Sequence, residues 1–178
     1  MFRLFTAIAV PGEIGQVLAR CQRGVAGARW SPVENLHITL RFFGGVSEDR
    51  ADDLDAELGA IRSKAFDLAL AGVGVFESSG GPRAVWAGVA DCPPLGALAA
   101  RCETAGRRAG LAADSRAFRP HVTLAYLSGA DPARVAAWVQ SHNLLKSPPF
   151  HVGAFGLYSS WRTDAGQVYR LERRYSLA

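Results

Sequence analysis

The feature that most limits what this chain can become is an internal repeat. Ile14-Gly15-Gln16-Val17-Leu18-Ala19-Arg20-Cys21 lies over Leu95-Gly96-Ala97-Leu98-Ala99-Ala100-Arg101-Cys102 at an offset of 81 residues. His37-Ile38-Thr39-Leu40 lies over His121-Val122-Thr123-Leu124 at an offset of 84. The same offset pairs Phe66 with Phe150, Leu68 with Val152 and Gly72 with Gly156, and Arg3 to Val10 covers Arg83 to Ala90 at an offset of 80. Matches in collinear order with slowly drifting offsets predict one duplicated unit, with copies at about residues 3–80 and 83–165. No linker rich in Pro, Gly or Ser separates the copies, so the 178 residues are expected to form a single bilobed domain.

Both copies carry the same local signals. Residues 3–10 and 83–90 are apolar and rich in β-formers, which predicts strands. Residues 12–24 and 94–109 carry apolar positions at helical spacing, with Pro11 and Pro93-Pro94 where helix starts accept proline. Residues 36–43 and 120–127 alternate as strands. Ser47 and Asp131 are predicted N-caps of helices near 48–63 and 132–142. Segments 66–76, 150–158 and 167–174 are predicted strands, and the stretches Gly80-Gly81-Pro82 and Asp164-Ala165-Gly166 predict hairpin loops. Interleaved strands and helices in two like sets predict an α+β or α/β protein with two related sheets, and a cleft between lobes is a natural ligand site.

Composition removes several alternatives. Three cysteines, Cys21, Cys92 and Cys102, at no ligand-like spacing predict neither a disulfide framework nor a zinc ribbon and fit a reducing cytoplasm. No apolar run approaches the ~20 residues that span a bilayer. Arg3 followed by Leu4 to Val10 imitates a signal peptide, but the apolar stretch is too short, and it reads as a first strand. No dinucleotide fingerprint, P-loop, HExxH or nucleophile elbow is present. The net charge of +4, with 18 arginines among 20 basic residues, permits an anionic ligand without demanding one.

The chemistry concentrates in the two His-x-Thr strands. In Asn35-Leu36-His37-Ile38-Thr39-Leu40-Arg41-Phe42, strict alternation puts Asn35, His37, Thr39 and Arg41 on one face and Leu36, Ile38, Leu40 and Phe42 on the other. The second copy puts Arg119, His121 and Thr123 together, opposite Val122, Leu124 and Tyr126. Side chains at i and i+2 lie roughly 6.5–7 Å apart, so a histidine and a threonine can touch one phosphate. A duplicated, buried His/Thr pair without chemistry is the bland alternative, and it is costly unless the polar groups are satisfied or used. Two histidines facing one cleft supply a general acid and a general base near neutral pH, and threonine hydroxyls can donate to non-bridging phosphate oxygens. No third histidine or carboxylate accompanies the motifs, so neither a metal nor any other cofactor is expected.

With those residues in view, the chain resembles the 2H phosphoesterase superfamily, and within it the RNA 2′,3′-cyclic phosphodiesterases, also called 2′-5′ RNA ligases. The resemblance runs through Arg3-Leu4-Phe5, Trp30, Asn35 to Gly44, Pro82 to Gly88 and Arg119 to Ala125. It implies an α+β bilobed fold, with two antiparallel sheets and flanking helices facing across a central cleft. The lobes of that fold interleave, and both chain ends share one lobe. It also implies hydrolysis of RNA 2′,3′-cyclic phosphate ends to 2′-phosphomonoesters without metal. His37 would be the proton donor to the departing 3′-oxygen and His121 the proton acceptor that activates water, although the residues alone leave these two roles interchangeable. Thr39 and Thr123 would hold the phosphate, Arg41 and Arg119 would add charge, and Phe42 or Phe43 would stack a terminal base. Trp30, Tyr158 and Trp161 are weaker stacking candidates. Where the family usually has a basic residue after the second motif, this chain has Tyr126. The same site run backwards would join RNA ends in a 2′-5′ linkage, although water at ~55 M outcompetes a second end that is not held in place. A non-catalytic module for RNA ends is the remaining alternative. His142 and His151 are expected to be structural, and a cytoplasmic monomer acting on RNA ends is expected.

Overall fold

Proline sets the starts of three of the four helices. Pro11 precedes α1 (Gly12–Ala19), Pro93 opens α3 (Pro93–Arg108) and Pro132 opens α4 (Pro132–His142). Asp131 caps α4 by accepting a hydrogen bond from the Ala133 backbone N–H at 2.9 Å. Ser47 occupies the cap position of α2 (Glu48–Gly59), but its side chain makes no capping bond. Glu48 and Asp49 at the start of α2 and Arg107 and Arg108 at the end of α3 carry the signs that the helix dipole favours. α1 is shorter than its apolar spacing predicts: it stops at Ala19, before the chain turns through Gly24 at φ +90°.

The computed structural model describes all 178 residues. Its strands are β1 (Phe2–Ala9), β2 (Arg29–Trp30), β3 (His37–Val46), β4 (Phe66–Leu68), β5 (Leu70–Ser78), β6 (Gly81–Val89), β7 (His121–Tyr126), β8 (Phe150–Val152), β9 (Ala154–Thr163) and β10 (Gly166–Ser176). The predicted strands 66–76 and 150–158 each break in two. Their first halves, β4 and β8, pair with each other in a separate small sheet. The large antiparallel sheet runs β10-β9-β1-β3-β7-β6-β5, with β2 on β7.

This sheet is two halves in fact. β1 pairs with β3 and β9 over long registers, as β6 does with β5 and β7. Between the halves, β3 meets β7 at one residue pair, Ile38 with Val122. Each half therefore contributes one His-x-Thr strand to the seam. The order strand, helix, strand, helix, short strand, long strand runs twice along the chain. The last long strand of each run pairs with the first strand of the other run, β9 with β1 and β5 with β6. Both chain ends, β1 and β10, lie in the same half.

Behind the sheet, α2 packs on α3, α3 on β3, and α4 on β5 and β6. α3 offers one apolar stripe, Leu95, Leu98, Ala99, Cys102 and Ala105, all buried. A single apolar core runs through both halves, and Ile38, Val122 and Leu124 are fully buried in it. At ~25 cal/mol per Å², burial of such side chains is the main stabilising contribution, and it commits one face of β3 and of β7 to packing. No helix is long and apolar enough to cross a membrane.

Candidate active site

At the seam, Ile38 and Val122 point into the core, so alternation turns His37, Thr39, His121 and Thr123 onto the opposite face. The antiparallel sense of the pair sets His37 toward Thr123 and Thr39 toward His121. All four side chains are partly buried.

The two imidazoles are held by the same device. His37 Nδ1 lies 2.6 Å from the Asn35 carbonyl oxygen, and His121 Nδ1 lies 2.6 Å from the Arg119 carbonyl oxygen. A carbonyl can only accept, so Nδ1 carries the hydrogen in both rings. The neutral form of each ring therefore keeps its lone pair on Nε2, the atom left to take or give a proton. Burial lowers both imidazole pKa values below the ordinary 6.5, against the opposing pull of these backbone bonds, and nearby His121 lowers His37 further.

Aromatic rings fix each histidine from the side. His37 sits 5.2 Å from Phe5 and meets Tyr169 edge-on at 5.1 Å. His121 meets Phe76 edge-on at 4.8 Å and has Trp86 at 6.3 Å. Trp86 can lie flat across β5 because residue 74 is glycine; a Cβ there would stand 2.3 Å from the indole.

A cavity of about 470 Å³ opens beside His37 and Thr39. Phe5, Phe42, Tyr126 and Tyr169 give it aromatic walls, and Arg3, Arg29 and Arg162 face it with one carboxylate, Asp164. Arg3 lies 5.6 Å over the Phe42 ring and Arg29 lies 5.6 Å over Tyr126. Burial, with Tyr126 alongside, raises the Tyr169 phenol above its usual range, so it stays a hydrogen-bond donor. The cavity can thus take an anion with a flat ring attached.

Two expected site residues exchange places. Strict alternation puts Arg41 on the His37 face and Phe42 in the core. The register with β1 instead skips Leu40 between Ala7–Thr39 and Thr6–Arg41, and skips Phe43 between Phe5–Phe42 and Leu4–Gly44. The first of these bulges reverses the phase of the strand. Arg41 is consequently turned away from the cleft, 8% exposed, with its guanidinium ion-paired to Glu103 and Asp114. Phe42 turns into the cavity. Phe43 packs against Gly106 of α3, with the Arg41 guanidinium over its ring, and does not reach the cavity.

The remaining candidates sort by position. Arg119 is exposed; its carbonyl orients His121, while its side chain makes no hydrogen bond or ion pair. Trp30 packs on Trp138, and Tyr158 stacks on Phe5. Trp161 lies by a separate hollow with Phe2 and Leu4. His142 bonds the Trp138 carbonyl one helical turn back, and exposed His151 pairs with Asp67 across β4 and β8. The alternation pattern gave no sign of Arg29, Arg162 and Tyr169. They reach the cavity from β2, β9 and β10, and only the pairing of distant strands places them there.

The model of the 2′-5′ RNA ligase superfamily matches residues 10–164. An Archaeoglobus fulgidus protein named RNA 2′,3′-cyclic phosphodiesterase is 30% identical over 171 residues, covering 94% of this chain and 96% of its own. One of the same name from Aeropyrum pernix is 40% identical over 140 residues, covering 77% and 79%. Among solved structures, E. coli LigT complexed with 3′-AMP superimposes with a TM-score of 0.81 at 27% identity, covering 99% of this chain and 98% of that one. An α+β fold with paired His-x-Thr strands is the pattern of the 2H phosphoesterases, the class to which the family match points. The chain belongs to the 2′-5′ RNA ligase superfamily.

Proposed function

We propose that this chain is an enzyme that opens 2′,3′-cyclic phosphates at RNA ends to 2′-phosphomonoesters, by acid–base catalysis between His37 and His121 and without metal. One observation carries the reading: both rings are fixed as the Nδ1–H tautomer by identical backbone bonds, on strands that meet between their His and Thr residues. The names of the Archaeoglobus and Aeropyrum relatives support the activity.

The step balances as follows. His121 Nε2 accepts a proton from water while the water oxygen attacks phosphorus. The bond from phosphorus to the 3′-oxygen breaks, and protonated His37 Nε2 gives its proton to that oxygen. The 2′-ester remains, and the two rings exchange protonation states, which solvent then resets. Thr39 and Thr123 hydroxyls donate to the non-bridging oxygens, where negative charge builds. The assignment of donor and acceptor follows the resemblance. Phe42, rather than Phe43, is the stacking residue for the terminal base, with Arg3 and Arg29 in place of Arg41 as the cations. Arg119 keeps its carbonyl role and adds surface charge. The twice-run order of elements supports descent from a duplicated unit with copies near 3–80 and 83–165. The cavity is complete within one chain, as a monomer needs.

An oligonucleotide ending in a 2′,3′-cyclic phosphate, incubated with the protein in EDTA, is expected to yield the 2′-phosphate. No ring opening in EDTA, or a 3′-phosphate product, overturns the proposal.

A further inference from the structure

We propose that Arg41 is a positioning residue that sets His121 against His37, a role that rests on the two-histidine reading above. The seam between the half-sheets needs such a device. β3 and β7 share one residue pair, Ile38 with Val122, whereas β3 on β1 and β7 on β6 are held by long ladders. β2, which leads into β3, adds two pairs on β7, Arg29 with Tyr126 and Trp30 with Ala125, so strand pairing ties the two histidine strands over a few residues only.

Arg41 spans that gap from behind. It lies on β3 two residues beyond Thr39, turned backwards by the bulge at Leu40. Its Nε pairs with Glu103 on α3, a helix that packs on β3. One terminal nitrogen donates to the Ala112 carbonyl at 2.6 Å, and the other reaches Asp114 at 3.3 Å and the Phe42 carbonyl. Ala112 and Asp114 belong to the irregular segment that leaves α3 and enters β7. No other side chain of β3 bonds that segment. Asp114 continues the chain of contacts: it accepts from the Arg116 backbone N–H at 3.0 Å and from the Arg116 guanidinium at 2.9 Å, and its own N–H donates to Glu103. Three residues beyond Arg116, the Arg119 carbonyl accepts from His121 Nδ1–H. A continuous path thus runs from the His37 strand to the atom that orients His121.

A buried arginine with two carboxylates is a poor way to gain stability, since apolar side chains of equal volume serve as well or better. What it does provide is geometry, because a rigid fork with separate acceptors admits one placement.

The test is kinetic, on the full chain. Arg41→Lys keeps the charge, but one ammonium cannot reach all four acceptors. It is expected to lower kcat about 10–10²-fold, the scale of a misplacement near 1 Å, with KM for a cyclic-ended oligonucleotide within about threefold of the parent. Amide exchange across 112–119 should accelerate. Of the titratable and charged groups near His37 or lining its cavity, which are His121, Tyr126, Tyr169, Arg3, Arg29, Arg162 and Asp164, it is His121 whose displacement matters here: the His37 titration followed by NMR should move to higher pH. A general loss of stability would leave that midpoint in place. Asp114→Asn, a milder change at a partly exposed site, should lower kcat by about threefold or more. A folded Arg41→Lys enzyme with kcat within about twofold of the parent overturns the proposal. If Arg41→Lys does not fold, Asp114→Asn with unchanged kcat and unchanged exchange overturns it instead. His121→Ala, assayed in parallel, separates the two ideas. Activity surviving in His121→Ala defeats the two-histidine reading; an inactive His121→Ala beside a fully active Arg41→Lys defeats only the positioning role.

Discussion

His37 and His121 occupy the same place in the same motif, with the same 2.6 Å tautomer bond, yet their surroundings differ. His37 borders the cavity, between Phe5 and Tyr169, with arginines across from it. His121 leans on Phe76 and Trp86 outside that lining and is reached through a segment without regular structure. Repetition accounts for the shared geometry of the pair; the roles proposed for them differ, His37 as donor and His121 as acceptor. A ring beside a bound phosphate gains a proton more readily as the anion arrives.

The largest test of that comparison is removal. His37→Ala and His121→Ala are each expected to lower kcat by about 10²–10⁴-fold, and a loss below tenfold in either would end its claim to a proton. A smaller contrast lies within one strand. Phe42→Ala is expected to raise KM about tenfold, since stacking a base contributes ~1–3 kcal/mol, with little change in melting temperature. Phe43→Ala should do the reverse, costing on the order of 2 kcal/mol of stability with KM unchanged, and equal effects on KM would refute the bulge-based assignment. The subtlest test is pH. With His121 as the proposed acceptor, kcat/KM is expected to fall as pH drops through its pKa; with His37 as the proposed donor, kcat/KM is expected to fall as pH rises through its own. Both pKa values lie below 6.5, which places the kcat/KM maximum on the acid side of that value. kcat reports the enzyme with the phosphate bound beside His37 and should peak at higher pH. A kcat optimum below that of kcat/KM would show that no phosphate is held against either ring.

The repeat and its alternation made the facing of these residues legible, Ile38 and Val122 inward and the histidines and threonines outward, but not that the two strands meet at Ile38 and Val122. Alternation failed at Arg41, where it expected a substrate contact and the structure has an internal ion pair. The cause is non-local. A bulge exists only relative to a partner strand, and nothing in Leu40-Arg41-Phe42-Phe43 announces that β1 will skip a residue there. The same limit hid Tyr169, which sits beside His37 because β10 follows β9 and β9 follows β1. The continuous strands expected over 66–76 and 150–158 each break in two, at Ala69 and Gly153, inside apolar runs that read as unbroken.

The exchange of long strands between the two runs has a consequence for how the molecule folds. Only one half of the sheet is discontinuous in sequence: the half holding His37 joins β1 and β3 to β9 and β10 from the far end of the chain, whereas β5, β6 and β7 of the other half follow one another. A fragment ending at the β5–β6 turn would leave β1 without β9 and β5 without β6. The half holding His121 can therefore form before the half holding His37 is complete. β1 must wait for a partner some 150 residues downstream, so closure of the His37 half comes last and the protein is expected to fold slowly, as chains dominated by distant pairings do.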